Sequence, residues 1–194
     1  MRRHKNQHGI TLLETVVVLL IGGLVISGIW IAYSQVTLNQ RVQRTINATD
    51  KTIDAARDFL SNFRTAPPNF GRALYDQSVM PPELKPVTVD ERTVVYLSPL
   101  GANFIIGPAY GGRLMSIAVN FRTSAECVRM AAGFLGSTEL IKQRSITGYE
   151  IDNIRSGTRV NLNAAVQTPT SADISRACNA NGATIFILEM EIRG

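Results

Sequence analysis

Histidine is nearly absent from this 194-residue chain, and both copies, His4 and His8, precede Gly9. Residues 10–194 therefore hold no imidazole, which removes His-dependent acid–base chemistry and His-ligated metals from that stretch. Cysteine is as scarce: Cys127 and Cys178 stand far apart without a CxxC partner, leaving a disulfide or two buried thiols. There is no GxSxG, no GxxxxGK[ST] and no cluster of metal-ligand residues, so no catalytic activity, cofactor or metal is expected. Net charge is also thin once located. Arg2, Arg3 and Lys5 carry three of the five formal positive charges, leaving +2 for everything after Gly9. In the rest of the chain Arg and Lys alternate with Asp and Glu, unlike the basic stripe of a nucleic-acid binder. Proline is missing from Ile10 to Phe63, so nothing there interrupts a helix.

What is present is a long apolar run. Ile10 to Tyr33 reads ITLLETVVVLLIGGLVISGIWIAY, 24 residues whose only charged side chain is Glu14. At about 1.5 Å of rise per residue it can cross a hydrocarbon layer of about 30 Å. A secretory signal peptide has a shorter apolar core, of about 7 to 15 residues, and a small-residue cleavage site behind it; neither fits here. The basic residues before the span predict a cytoplasmic amino terminus and export of the chain beyond Tyr33. An oxidising exterior favours a Cys127–Cys178 disulfide.

Beyond Tyr33 the apolar pattern narrows. Leu38, Val42, Ile46, Ile53, Ala56, Leu60 and Phe63 recur at steps of three, four and seven, with Asn39, Arg41, Arg44, Asp50, Lys51, Asp54 and Arg57 between them. That spacing predicts one helical face, continuous with the span and ended before Pro67-Pro68. Residues 64–112, rich in Pro, Gly and Asn, read as mostly loop, with short strands near Val94–Leu97 and Phe104–Ile106. A strand is expected over Leu114–Phe121. Thr123 and Glu126 form a capping box for a helix through Phe134, closed by Gly136. A short helix is expected over Ser137–Gln143, another starts at Thr170 and Asp173 and leads to Cys178, and Ala183–Ile192 is the strongest strand. Glu150 and Asp152, in GYEIDN, read as a solvated turn rather than a cation site. The fold class is α+β: a long helix packed on an antiparallel sheet.

The segment Gly9-Ile10-Thr11-Leu12-Leu13-Glu14, with a basic leader before it and the apolar span after it, resembles the processing site of type IV prepilins. The resemblance implies cleavage between Gly9 and Ile10, N-methylation of Ile10, and a filament-assembly role for Glu14. Thr11, Gly23, Gly28 and the region bounded by Cys127 and Cys178 extend it to the type IVb major pilins, the toxin-coregulated, bundle-forming and conjugative thin-pilus subunits. The domains implied are a cleaved leader (1–9), a transmembrane and filament-core helix (10–33), an amphipathic helix half (34–63) and an exported α+β head (64–194). The implied function is a pilin subunit anchored in the inner membrane and polymerised into a surface pilus for adhesion, aggregation or conjugation. Its partners would be other copies of itself, a prepilin peptidase, the inner-membrane assembly platform, a minor pilin or tip adhesin, and lipid before assembly, with no specific nucleic acid. Two alternatives stay open, a pseudopilin or minor pilin of a secretion or pilus machine, and a membrane-anchored periplasmic enzyme or receptor domain.

Glu14 admits two readings. It snorkels to the headgroups, or it meets the amino group of Ile10 on a neighbouring subunit and fixes the axial stagger. Gly22, Gly23, Ser27 and Gly28 either reflect the ordinary glycine content of membrane helices or allow close helix approach; low helix propensity would also let this stretch loosen on assembly. Mass spectrometry of the membrane-extracted protein is expected to find a methylated Ile10 at the amino terminus. An intact Met1 overturns the processing assignment.

Overall fold

In a computed structural model, residues 12–61, 65–136, 138–153, 168–179 and 184–191 are described. The chain divides into two compact units, Met1–Leu38 and Asn39–Gly194. Helix α1 spans Leu12–Leu60 and contributes to both. In the first unit its residues 12–36 are all exposed, among them Leu13, Leu20, Leu24, Ile29 and Trp30. This helix is long and apolar enough to cross a membrane.

In the second unit α1 has an inward face of Val42, Thr45, Ile46, Ala48, Thr49, Thr52, Ile53, Ala56 and Leu60. Val42, Ile46, Ile53, Ala56 and Leu60 were expected, and Ala48 was not. The three threonines that complete the face were not, because a hydroxyl is costly to bury without a partner. Each hydroxyl donates to the carbonyl four residues back: Thr45 to Arg41 at 2.9 Å, Thr49 to Thr45 at 2.8 Å and Thr52 to Ala48 at 2.8 Å. Thr45 Oγ1 also accepts from the Leu100 amide at 3.1 Å, so it pins a loop to the helix. Phe63, at the expected end of this face, lies outside the described residues, and α1 ends at Leu60.

The remaining elements of the second unit are α2 (Phe70–Asp76), β1 (Lys85–Val89), β2 (Val94–Leu97), β3 (Asn103–Ala109), a 3-10 turn (Tyr110–Gly112), β4 (Leu114–Phe121), α3 (Ser124–Leu135), α4 (Thr138–Gln143), β5 (Ile146–Asn153), α5 (Ser171–Asn179) and β6 (Thr184–Glu191). The strands form one antiparallel sheet in the order β1-β2-β3-β4-β6-β5. The first four make a meander. The chain then leaves the sheet through α3 and α4 and returns at the far edge as β5, and β6 fills the gap. Tyr96, Phe104, Val119, Phe186 and Ile151 lie in register across five strands on the buried face. Ile106, Ile117, Leu188 and Tyr149 form the next row.

Two expectations need correction. The 64–112 stretch holds a helix, α2, and an edge strand, β1, besides the two strands foreseen. GYEIDN is not a turn but most of β5, with Glu150 buried at 7 % exposure opposite Ile187; pairing with β6 overrides the turn preference of Gly148, Asp152 and Asn153. Gly136 does cap α3, in a right-handed conformation (φ −67°). The α+β class, the long helix and the antiparallel sheet stand as read.

Glycine sets two close approaches. Gly71 in α2 packs so near β3 that an added Cβ would lie 2.5 Å from the Ile106 carbonyl oxygen, while Gly133 in α3 leaves room only for the Ile46 side chain of α1. Gly71→Ala is expected to cost about 1 to 3 kcal/mol, because a backbone carbonyl cannot give way as a flexible side chain can. Gly107→Ala, with open space around its Cα, is expected to cost nothing measurable. Thermal unfolding of the detergent-solubilised proteins compares the two, and equal melting temperatures overturn the close-packing assignment.

Candidate processing and assembly site

Gly9 and Ile10, the residues expected to be cut apart, lie outside the described residues. Glu14 sits in the first turn of α1, where a carboxylate is favoured by the positive end of the helix dipole. Polar side chains further along the apolar stretch are absorbed by the helix itself. Thr15 donates to the Leu12 carbonyl at 3.1 Å, Ser27 to Gly23 at 2.8 Å and Ser34 to Ile31 at 2.7 Å. Backbone satisfaction of this kind is what a hydrocarbon environment requires. Gly22, Gly23 and Gly28 have nothing within 4 Å of an added Cβ. Among the described residues, then, no packing contact demands a glycine at these positions.

The structure joins Cys127 and Cys178 in a disulfide, with their Cα atoms 5.7 Å apart. Cys127 belongs to α3, whose capping box forms as read: the Glu126 amide donates to Thr123 Oγ1, and Glu126 Oε2 accepts from the Thr123 amide. Cys178 belongs to α5, which starts on a similar reciprocal cap. Thr170 Oγ1 donates to Asp173 at 2.6 Å and accepts from the Asp173 amide. Hydrogen bonds from Thr170 hold the Asp173 carboxyl below its ordinary range. Only Ile174 and Cys178 of α5 are buried, so the covalent link is a large part of what attaches this helix to the rest.

Sequence reading missed a second fastening. Arg144, between α4 and β5, donates from Nε and Nη2 to the two oxygens of Asp50 at 2.7 and 2.9 Å. Its guanidinium also lies 4.8 Å from the centre of the Phe134 ring, and its own carbonyl accepts from Arg57. One arginine thus ties α1 to α3 and to the start of β5 by paired, charge-assisted bonds. The partners are 94 residues apart in sequence, and no local pattern signals such a pair.

Burial pushes the hydroxyls of Tyr96 and Tyr149 up to about 12, which keeps both phenols protonated and in the role of packing groups. No group of three or more Asp, Glu, His or Cys is placed to hold a metal ion among the described residues.

Comparison with known proteins bears on both ends of the chain. A sequence family described as the prokaryotic N-terminal methylation motif matches residues 4–30. No curated protein matches. Among solved structures, the crystal structure of a type IV b pilin from Salmonella typhi superposes with a TM-score of 0.53 at 12 % identity, over 78 % of this chain and 98 % of that one. At that identity the likeness is one of fold. The chain thus combines, in one polypeptide, the prokaryotic N-terminal methylation motif and the fold of a type IVb pilin.

Proposed function

We propose that this chain is a type IVb-like pilin, cut between Gly9 and Ile10 by a prepilin peptidase, N-methylated at Ile10 and polymerised with its own copies into a surface pilus. The observation that carries this reading is the coincidence of a methylation motif over residues 4–30 with a pilin fold. Neither would suffice alone, since the motif occupies a short amino-terminal stretch and the fold is shared at low identity. The helix adds a physical reason. Its residues 12–36 are mostly apolar and exposed, with no core around them among the described residues, so they need lipid or other copies as their surroundings.

On this reading residues 1–9 are the leader and 10–33 the membrane anchor that becomes the filament core. Residues 34–63 are the amphipathic half of the helix, and 64–194 the exported head. The inner membrane holds the precursor, the assembly platform extracts it, and the pilus displays the head for adhesion, aggregation or conjugation, together with a minor pilin or tip adhesin. Glu14 is the assembly residue. The Ile10 amino group of one subunit meets its carboxylate on another, so that two charges enter the core as a pair.

Glu14→Val separates anchoring from assembly. Removing a carboxylate from the span favours insertion, so processed protein is expected to remain in the membrane. Filaments are expected to disappear, because the Ile10 amino group would enter the core unpaired at a cost of about 3 to 5 kcal/mol per subunit. Cell fractionation with electron microscopy decides, and normal filaments would mean that Glu14 only snorkels. For the head, Cys127→Ser removes a cross-link spanning 51 positions, which chain entropy values at about 4 kcal/mol. The variant is expected to be cleaved normally after Gly9 yet to accumulate far less. Wild-type abundance on an immunoblot overturns a stabilising role for the bond.

A further inference from the structure

Three of the seven charges on α1 between Asn39 and Leu60 are used inside the second unit. Lys51 pairs with Glu83 at 2.7 Å, Asp50 with Arg144, and Arg57 donates to the Arg144 carbonyl. Four charges are left over. Arg41 and Arg44 toward the start, and Asp54 and Asp58 toward the end, are exposed and form no ion pair among the described residues. Within each of the two pairs the like charges repel. Arg41 and Arg44 are helix neighbours of like charge at i,i+3, and Asp54 and Asp58 are the same at i,i+4. Asp58 also stands in the last turn, at the negative end of the helix dipole.

The same arrangement is self-complementary between copies. We propose that this helix face docks on the α1 of a second, parallel copy, with Arg41 of one meeting Asp54 of the other. Arg41 and Asp54 are 13 residues apart, which is about 20 Å along a helix and about 140° around it. They therefore occupy nearly opposite flanks, as needed when each subunit offers one flank to the neighbour above and the other to the neighbour below. Arg44 and Asp58 are 14 residues apart, about 21 Å along the helix but only about 40° around it, so this second pair shares the axial offset without lying on opposite flanks, and Arg41 with Asp54 carries the contact. An antiparallel copy could also match charges, but it would close as a pair instead of extending. The inference rests on the pilin reading for the parallel orientation, and names the head-side contact that such a filament would use.

Charge reversal in the full chain tests it. Arg41→Asp and Asp54→Arg are each expected to lower filament yield by roughly tenfold or more, since each replaces an attraction by a repulsion. The double variant, with the signs exchanged, is expected to recover most of the yield. Processing at Gly9 and a Cys127–Cys178 bond in every variant establish that the head still folds. A second measurement does not depend on yield: a chain with Arg41→Cys and Asp54→Cys, treated as filaments with a short bifunctional maleimide, is expected to give a ladder of linked multimers that neither single-cysteine variant gives. Wild-type filaments with unaffected single reversals and no ladder overturn this contact and leave the pilin reading standing. Loss in both singles without recovery in the double, or loss in only one, shows that the face meets another partner or another surface, and also overturns it. Absence of both filaments and ladder from the wild-type background removes the second copy and with it both readings.

Discussion

Burial of one face of α1, from Val42 to Leu60, is the constraint on which the second unit depends. The sheet presents rows of large apolar side chains, Tyr96, Phe104, Val119, Phe186 and Ile151 among them, and a sheet needs a layer against its apolar face. The helix serves that layer with side chains that are small or branched: Ala48, Ala56, Thr45, Thr49 and Thr52. Small residues let other elements come close, and Gly133 of α3 uses that closeness against Ile46. The threonine hydroxyls return to the backbone of their own helix, so the face is effectively apolar despite its composition.

Two fastenings of different kind then hold the crossover between β4 and β5. The disulfide ties α5 to α3 and stabilises chiefly by restricting the unfolded chain. The Arg144–Asp50 pair ties the entry of β5 to α1 through directed bonds whose strength depends on partial burial. Tyr149 of β5 packs against Phe186 of β6 at 6.4 Å between ring centres, and Phe186 in turn meets Phe134 of α3 at 6.3 Å. That chain of rings links the helix carrying Cys127 to the far edge of the sheet.

Legibility followed how local the determining physics is. The strands β2 and β4 could be bounded from sequence because their alternation is clean and one face is buried, as in Leu114–Phe121. The helix caps at Thr123 and Thr170 were equally local. β1 escaped because all five of its residues are exposed and Pro86 breaks its pattern. α2 escaped because seven residues are too few to show a period. β5 was hidden by a register shift between Ile146 and Gly148 and by turn-forming residues at its end. The N-terminal methylation motif was legible because charge, glycine and apolar run are contiguous. The Arg144 clasp and the leftover charges of α1 were not, since they exist only once distant segments have met.

The edge strand β1 has a consequence for the kind of order this molecule can enter. Its outer backbone groups pair with no other strand among the described residues, and Val87 and Val89 are exposed beside them, the usual invitation to cross-strand stacking. Yet Lys85 places a charge at its start, Pro86 withholds a donor, and the pairing with β2 slips between Pro86 and Thr88. An edge so broken templates poorly. In the proposed filament, such an edge would let neighbouring copies lie side by side without their sheets fusing.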